Sequence, residues 1–283
     1  MKDLIVIGGS TAALEAARRS AGRVLEKNGA MRFLSLSDKE ASDLCRELSA
    51  DETLDVLPVS AGLSIASIRF MAFDMDGTLT ENECIDEMAA RFGRGEAVSA
   101  VTRAAMRGEI TDFAETLKRR IALLKGEPAA LVEEACRTTR WQPGAEKLFA
   151  FCRAQGVETY IVSGGFPPFT GSALRHFGMT GAVGNEIVFE NGALKGEVRG
   201  PGGGKILDAE GKRRAVEVLC ALKGCSLKDV LAAGDGANDA QMLAAAGIGV
   251  AFHAKAPAKA AADLAVNRAG LDAIALLFKE AWE

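Results

Sequence analysis

Apolar positions fall along this chain in two rhythms. Short apolar runs bounded by Gly, Asp or Ser lie at Ile68–Phe73, Thr159–Val162, Val230–Ala233, Ile248–Ala251 and Leu264–Val266. Runs of this length and composition predict buried strands. Between the first two strands lie some 80 residues whose apolar positions recur at three- and four-residue spacing, broken at Gly93–Gly95, Gly108 and Gly126–Pro128. That rhythm predicts helices inserted after the first strand. After residue 158, strands and helices alternate, as a parallel sheet requires. Residues 183–199 carry Asn191-Gly192 between Ile187–Phe189 and Leu194–Val198, a hairpin signal.

Before the first of these strands the pattern is different. Residues 1–65 predict a small α/β unit: a strand over Leu4–Ile7, a helix after Ser10, a strand around Phe33, a helix from Ser37 and an apolar stretch near Val56. The fold class expected is α/β, a Rossmann-like parallel sheet over 66–283 with a helical cap at about 84–142, plus the small N-terminal unit.

Composition narrows the functions. The 283 residues are 48% hydrophobic and carry a net charge of −4, enough apolar content for a full core and no basic block for nucleic acid or an anionic membrane. The opening MKDLIVIGGS is too short and too acidic for a secretory segment, and no stretch approaches a membrane span. A cytoplasmic protein is expected. Six scattered cysteines without a CxxC pair read as free thiols rather than a zinc or disulfide framework. Neither the GGS turn at 8–10 nor GPGGGK at 200–205 has the spacing of a nucleotide-binding loop.

The candidate chemistry sits where strands end. In FDMDGTLTENECIDEMA (73–89), Asp74 and Asp76 are two residues apart and so point the same way, at the carboxyl end of a parallel strand, where open α/β sheets bind ligands. Two carboxylates there repel each other, and a divalent cation or a raised pKa relieves the repulsion. A second strand ends in Ser163-Gly164-Gly165, a third in Gly234-Asp235-Gly236-Ala237-Asn238-Asp239, and Lys212 lies in the helix before the third. Taken singly, each has a plainer account: turn chemistry for the paired aspartates, capping for Ser163 and Asp239, a solvated charge run for Lys212. Their joint order favours a site.

This constellation resembles the haloacid dehalogenase superfamily of phosphotransferases, whose motifs match as DMDGT (74–78), Ser163, Lys212 and GDGAND (234–239). Within it, ENECIDEMAARFG, GEI, LKRRIALLKG, SGGF, GDGAND and AFHAKA look like the phosphoserine phosphatase family. The resemblance implies Mg²⁺-dependent hydrolysis of a small phosphomonoester, phosphoserine, by a monomer or homodimer. It implies Asp74 as nucleophile, Asp76 as general acid and then base, and Mg²⁺ held by Asp74, Asp235 and the Asp76 main-chain carbonyl with Asp239 behind. Ser163, Gly164, Asn238 and Lys212 would hold the phosphoryl oxygens.

Phosphoserine also carries an ammonium and a carboxylate, which call for an acid and an arginine. Glu83 and Arg120 are the candidates. Arg120 follows Phe113 and Leu117 by seven and three residues, placing it at the edge of a helix's apolar face. Glu83 has a second account, because Thr80-x-x-Glu83 fits a capping box. Met106 and Phe113 match the family's apolar cap residues, and helical core explains Met106 equally well. Residues 1–65 are too short for two amino-acid-binding ACT modules and read as one shortened unit of that kind. Two other functions remain open: phosphoryl transfer from another small phosphomonoester or to an alcohol such as homoserine, and a catalytically silent amino-acid-binding regulator.

Overall fold

The computed structural model describes residues 1–9, 18 and 23–283, so the helix expected after Ser10 lies outside the described residues. Six strands form one all-parallel sheet: β5 (Phe70–Phe73), β6 (Glu158–Ser163), β7 (Gly181–Gly184), β10 (Val230–Gly234), β11 (Ile248–Phe252) and β12 (Leu264–Val266). Their order is β12-β11-β10-β5-β6-β7, which puts β5 between β10 and β6 at the centre. All four β5 residues are buried, as a strand covered on both faces demands.

The sequence reading found all of these strands except β7. Gly181-Ala182-Val183-Gly184 has too little apolar content to register as a strand; it is held by pairing with Tyr160–Ser163 of β6. The hairpin appears as β8 (Glu186–Glu190) and β9 (Ala193–Arg199), turned at Asn191 (φ 51°) and Gly192 (φ 78°). Both turn residues are left-handed, as a type I′ turn needs.

Between β5 and β6 the chain forms α2 (Cys84–Arg91), α3 (Gly95–Met106), α4 (Phe113–Ala122) and α5 (Ala129–Arg137), then α6 (Ala145–Ala154) against the sheet. Leu117, Ile121 and Leu124 are buried with Ile85, Met88 and Val98, so the apolar stripes read in the sequence become one packed face.

The first 60 residues form a separate antiparallel sheet of order β2-β3-β1-β4, from β1 (Lys2–Gly8), β2 (Val24–Lys27), β3 (Ala30–Leu36) and β4 (Leu54–Ser60). Strand β2 was not anticipated, although Asn28-Gly29 before Ala30 is the same turn signal as Asn191-Gly192. Helix α1 (Asp38–Leu48) is started by a reciprocal capping box between Ser37 and Glu40.

Alternation along β1 sends its side chains to two cores. Leu4 and Val6 pack with Phe33, Leu44 and Leu48 under α1. Ile5, with Leu57 and Val59 of β4, joins the cluster containing Met71 and Phe73 of β5. The division near residue 65 is therefore a seam between packed layers, and a cut there would strip apolar cover from the larger core.

One carboxylate fastens the seam. Asp55 is 1% exposed and accepts the backbone N–H groups of Asn267 (2.7 Å), Arg268 (2.9 Å) and Ala269 (2.7 Å), just past β12. Glu280 similarly accepts from Ile65 N–H at 3.0 Å. Asp55→Ala leaves three amides without their acceptor and is expected to cost about 2–4 kcal/mol of stability, measured by urea denaturation. A change below ~0.5 kcal/mol, the range of ordinary surface substitutions, would contradict this account of the seam.

Candidate active site

The ends of β5, β6 and β10 lie side by side and deliver the candidate residues to one cavity of about 230 Å³. Its walls include Asp74, Asp76, Glu83, Phe113, Arg120 and Ser163, with Gly164, Asp235 and Asn238 beside them. Met106 is not among them. It is the last residue of α3 and is 82% exposed, outside both the cavity and the helical core. Phe113 is on the wall, 36% exposed, close enough to Gly164 that a Cβ there would come within 3.2 Å of its ring.

Asp74 follows the last residue of β5 and is 4% exposed. Its Oδ1 accepts Met75 N–H at 2.7 Å and meets Lys212 Nζ at 2.8 Å, so the carboxylate is fixed in orientation. Lys212 rises from the first turn of α8 (Ala209–Lys223), whose N-cap Asp208 accepts Gly211 N–H at 2.8 Å. The lysine is wholly buried and also meets Asp239 Oδ1 at 2.6 Å. Burial alone would lower its pKa, but the Asp239 and Asp74 charges more than reverse that and hold it protonated.

Asp239 is occupied on both oxygens. Its Oδ2 accepts Asp235 N–H (3.1 Å) and Gly236 N–H (2.9 Å) while Oδ1 takes Lys212. It braces the strand-end loop from behind. Burial, then the Asp74 and Asp239 charges, push the Asp235 carboxyl up to about 7, against the pull of Lys255. Gly77, at φ +74°, lets the loop after β5 pass: a Cβ there would fall 2.7 Å from the Asp235 carboxylate.

Asp74, Asp235 and Asp239 each place a carboxylate oxygen within 4.8 Å of the others. Three acids face one buried lysine, and Lys255 Nζ approaches Asp235 only to 3.9 Å from an exposed position. An all-oxygen donor set with negative charge to spare fits a hard divalent cation.

Asp76 turns toward the cap. Its Oδ1 accepts Cys84 N–H at 3.1 Å and lies 2.7 Å from Cys84 Sγ, so it occupies the N-terminus of α2. Burial, followed by the Glu83 charge, lifts its carboxyl to about 7 despite the Cys84 contacts. Glu83 is the N-cap residue of α2 but its side chain makes no cap bond, and Thr80 Oγ1 donates to the carbonyls of Met75 and Asn82. The Thr80–Glu83 capping box expected from spacing does not form.

Glu83 lies on the cavity wall instead, 3.9 Å from Arg120, which pairs with Asp86 at 2.7 Å. The buried Nε of Arg120 finds no acceptor among the described residues. Ser163, 1% exposed, accepts Gly165 N–H on its Oγ at 3.0 Å, so its own hydrogen is free to donate.

Thr116 and Lys255 also reach the cavity and were not singled out from sequence. Lys255 sits in AFHAKA, and its N–H donates to the Asp235 carbonyl at 2.9 Å, the contact that brings it to the rim.

Comparison with known proteins agrees with this geometry. Residues 71–244 match the family model for haloacid dehalogenase-like hydrolases. A phosphoserine phosphatase of Albidiferax ferrireducens is 40% identical over 218 residues, 77% of this chain and 92% of that protein. A HAD family hydrolase from Salmonella enterica serovar Typhi superposes with a TM-score of 0.87 at 26% identity, covering 99% of each chain. A phosphoserine phosphatase structure described as a phospho-aspartyl intermediate analogue gives a TM-score of 0.68 at 33% identity, covering 75% of this chain and 99% of that one. Matched by one relative over nearly all of that relative's length and by another hydrolase from end to end, the chain belongs to the phosphoserine phosphatase family of haloacid dehalogenase-like hydrolases.

Proposed function

We propose that this enzyme hydrolyses O-phospho-L-serine to L-serine and phosphate by way of an aspartyl-phosphate on Asp74. The observation that carries the reading is one cavity with two chemically distinct poles. Asp74, Ser163 and Asp235 stand at the strand ends with Lys212 of α8 buried behind Asp74, and Glu83 and Arg120 on the helices face them. The first pole suits a phosphoryl group and the second an amino acid's two charges.

Asp74, oriented by Lys212 and Met75 N–H, attacks phosphorus in line as the bond to the serine oxygen breaks. Asp76, its proton affinity raised to about 7, gives its proton to that departing oxygen. As a carboxylate it then takes a proton from the water that attacks the phosphorus, which frees phosphate and restores Asp74. Ser163 Oγ, Gly164, Asn238 and Lys212 hold the phosphoryl oxygens throughout. Asp74 and Asp235, with the Asp76 carbonyl, would hold Mg²⁺, and Asp239 supports them. When bound, the ion neutralises phosphoryl charge. Glu83 faces the substrate ammonium and Arg120 its carboxylate. Among the described residues no helix is long and apolar enough to cross a membrane, and all six cysteines are free thiols, which supports a cytoplasmic enzyme.

Four outcomes test this reading. Removing Mg²⁺ with a chelator should abolish turnover and Mg²⁺ should restore it. Asp74→Asn should lower kcat by at least roughly a thousandfold, since an amide is a poor nucleophile. Hydrolysis by that variant at the parent rate would sink the covalent route.

Asp76→Asn should slow phosphoserine turnover by roughly 10²–10⁴-fold, the usual worth of a positioned acid–base group. An aryl phosphate, whose leaving group needs little protonation, should lose much less. Equal losses on the two substrates would remove Asp76 from the proton transfer.

Arg120→Ala and Glu83→Gln should each cost about 2–5 kcal/mol in kcat/KM for phosphoserine, roughly thirtyfold to several-thousandfold, and leave the aryl phosphate nearly unchanged. Parallel kinetics on both esters read this directly. Losses of the same size on both would reject the amino-acid pole.

A further inference from the structure

Asn185 is a wholly buried polar side chain beside the site that belongs to no part of the chemistry above. It follows β7 directly, at the start of the hairpin that leads to α8. Its Nδ2 donates to the Gly164 carbonyl at 3.0 Å, and its Oδ1 accepts Leu207 N–H at 2.7 Å. Both amide atoms are taken by backbone partners and the residue is not among those lining the cavity, so its effect on a ligand is indirect.

Both partners lead to phosphoryl-binding groups. The peptide between Gly164 and Gly165 is planar and trans, so fixing its carbonyl on Asn185 aims its N–H the opposite way. That N–H is the one that donates to Ser163 Oγ at 3.0 Å, which settles how the hydroxyl is turned. On the other side, Leu207 immediately precedes Asp208, the N-cap of α8, and Lys212 N–H donates to the Asp208 carbonyl at 2.8 Å. The helix that carries Lys212 to Asp74 therefore starts from a point held by Asn185. The end of β7 is pressed against the same turn: a Cβ on Gly184 would lie 2.8 Å from the Gly165 carbonyl oxygen.

We propose that Asn185 is a positioning residue that sets the spacing between the Ser163–Gly165 turn and the Lys212 helix, and thereby the geometry in which both grip one phosphoryl group. This rests on the phosphoryl-transfer reading of the cavity. An amide suits the position because it donates to a carbonyl and accepts from an amide at once. Aspartate keeps the shape and the acceptor for Leu207 N–H but sets an oxygen against the Gly164 carbonyl.

Asn185→Asp and Asn185→Ala, in the full chain with Mg²⁺, test it through the Kd for inorganic phosphate by calorimetry and kcat and KM for phosphoserine and an aryl phosphate. Asn185→Asp should lose roughly 10–100-fold in kcat/KM on both esters alike, the scale of displacing a binding group by about 1 Å. Phosphate Kd should rise by tenfold or so, within the limits set by one displaced contact pair. Thermal melts set the assay temperature below each transition, and if Asn185→Ala fails to fold the aspartate variant alone decides.

A merely structural role lowers the fraction of active enzyme, so kcat would drop while KM and phosphate Kd stay at the parent values. That result overturns the inference, as does parent-like behaviour of the aspartate variant. Weakened phosphate binding in a protein whose wild type shows no preference for phosphoserine would keep the inference and overturn the substrate assignment instead.

Discussion

The site depends on how many negative charges can be held together at the end of one strand. Asp74, Asp235 and Asp239 converge within 4.8 Å, and among the described residues Lys212 is the only cation buried with them. A buried lysine is costly unless paired, and here it is paired twice, at 2.8 Å and 2.6 Å. Removing Lys212 would leave Asp74 and Asp239 as uncompensated buried carboxylates, whereas loss of either aspartate would leave the lysine paired with the other. The remaining negative excess is what a divalent cation would act on, and burial first, then the charges of Asp74 and Asp239, push the Asp235 carboxyl up to about 7.

Such a cluster needs a frame that does not give. The parallel sheet supplies it, because β5 lies between β10 and β6 and each strand end carries one part of the site. Gly77 allows the loops to approach closely, and Asp239 ties the β10 loop to itself through two backbone amides. The N-terminal sheet adds a further layer behind this frame. Ile5, Leu57 and Val59 pack into the cluster that holds Met71 and Phe73, and Asp55 locks the layer to the chain beyond β12.

What could be read from sequence followed from period and motif. Five of the six parallel strands were legible because buried strands are unbroken apolar runs, and the Asn191-Gly192 hairpin because its turn demands left-handed residues. β7 was not, since two of its four residues are glycine and its pairing with β6 is a long-range fact. Residues at strand ends were legible because acids and glycines there have few other uses. Met106 was named from its match to the family's apolar cap residues, with helical core as the alternative, and at 82% exposure it is in neither place. The Thr80–Glu83 spacing misled because Asp76 had already taken the N-terminus of α2. Asn185 gave no local signal at all: both of its partners lie more than 20 residues away.

The two poles of the cavity are built to different tolerances, and the difference follows from their chemistry. In-line attack on phosphorus requires atoms placed to within a fraction of an ångström, and that pole is made of strand ends, backbone amides and wholly buried side chains. Recognition of an ammonium and a carboxylate tolerates more play, because charge attraction falls off slowly with distance. That pole is made of longer side chains on helices: Glu83 is 47% exposed, and Arg120 is held at one edge by Asp86, while its buried Nε lacks an acceptor among the described residues. A phosphomonoester without those two charges would still meet the complete phosphoryl pole. In the proposed reading, selection for the amino acid comes from the energy that Arg120 and Glu83 add once their partners arrive, and reactivity from the geometry of the phosphoryl pole.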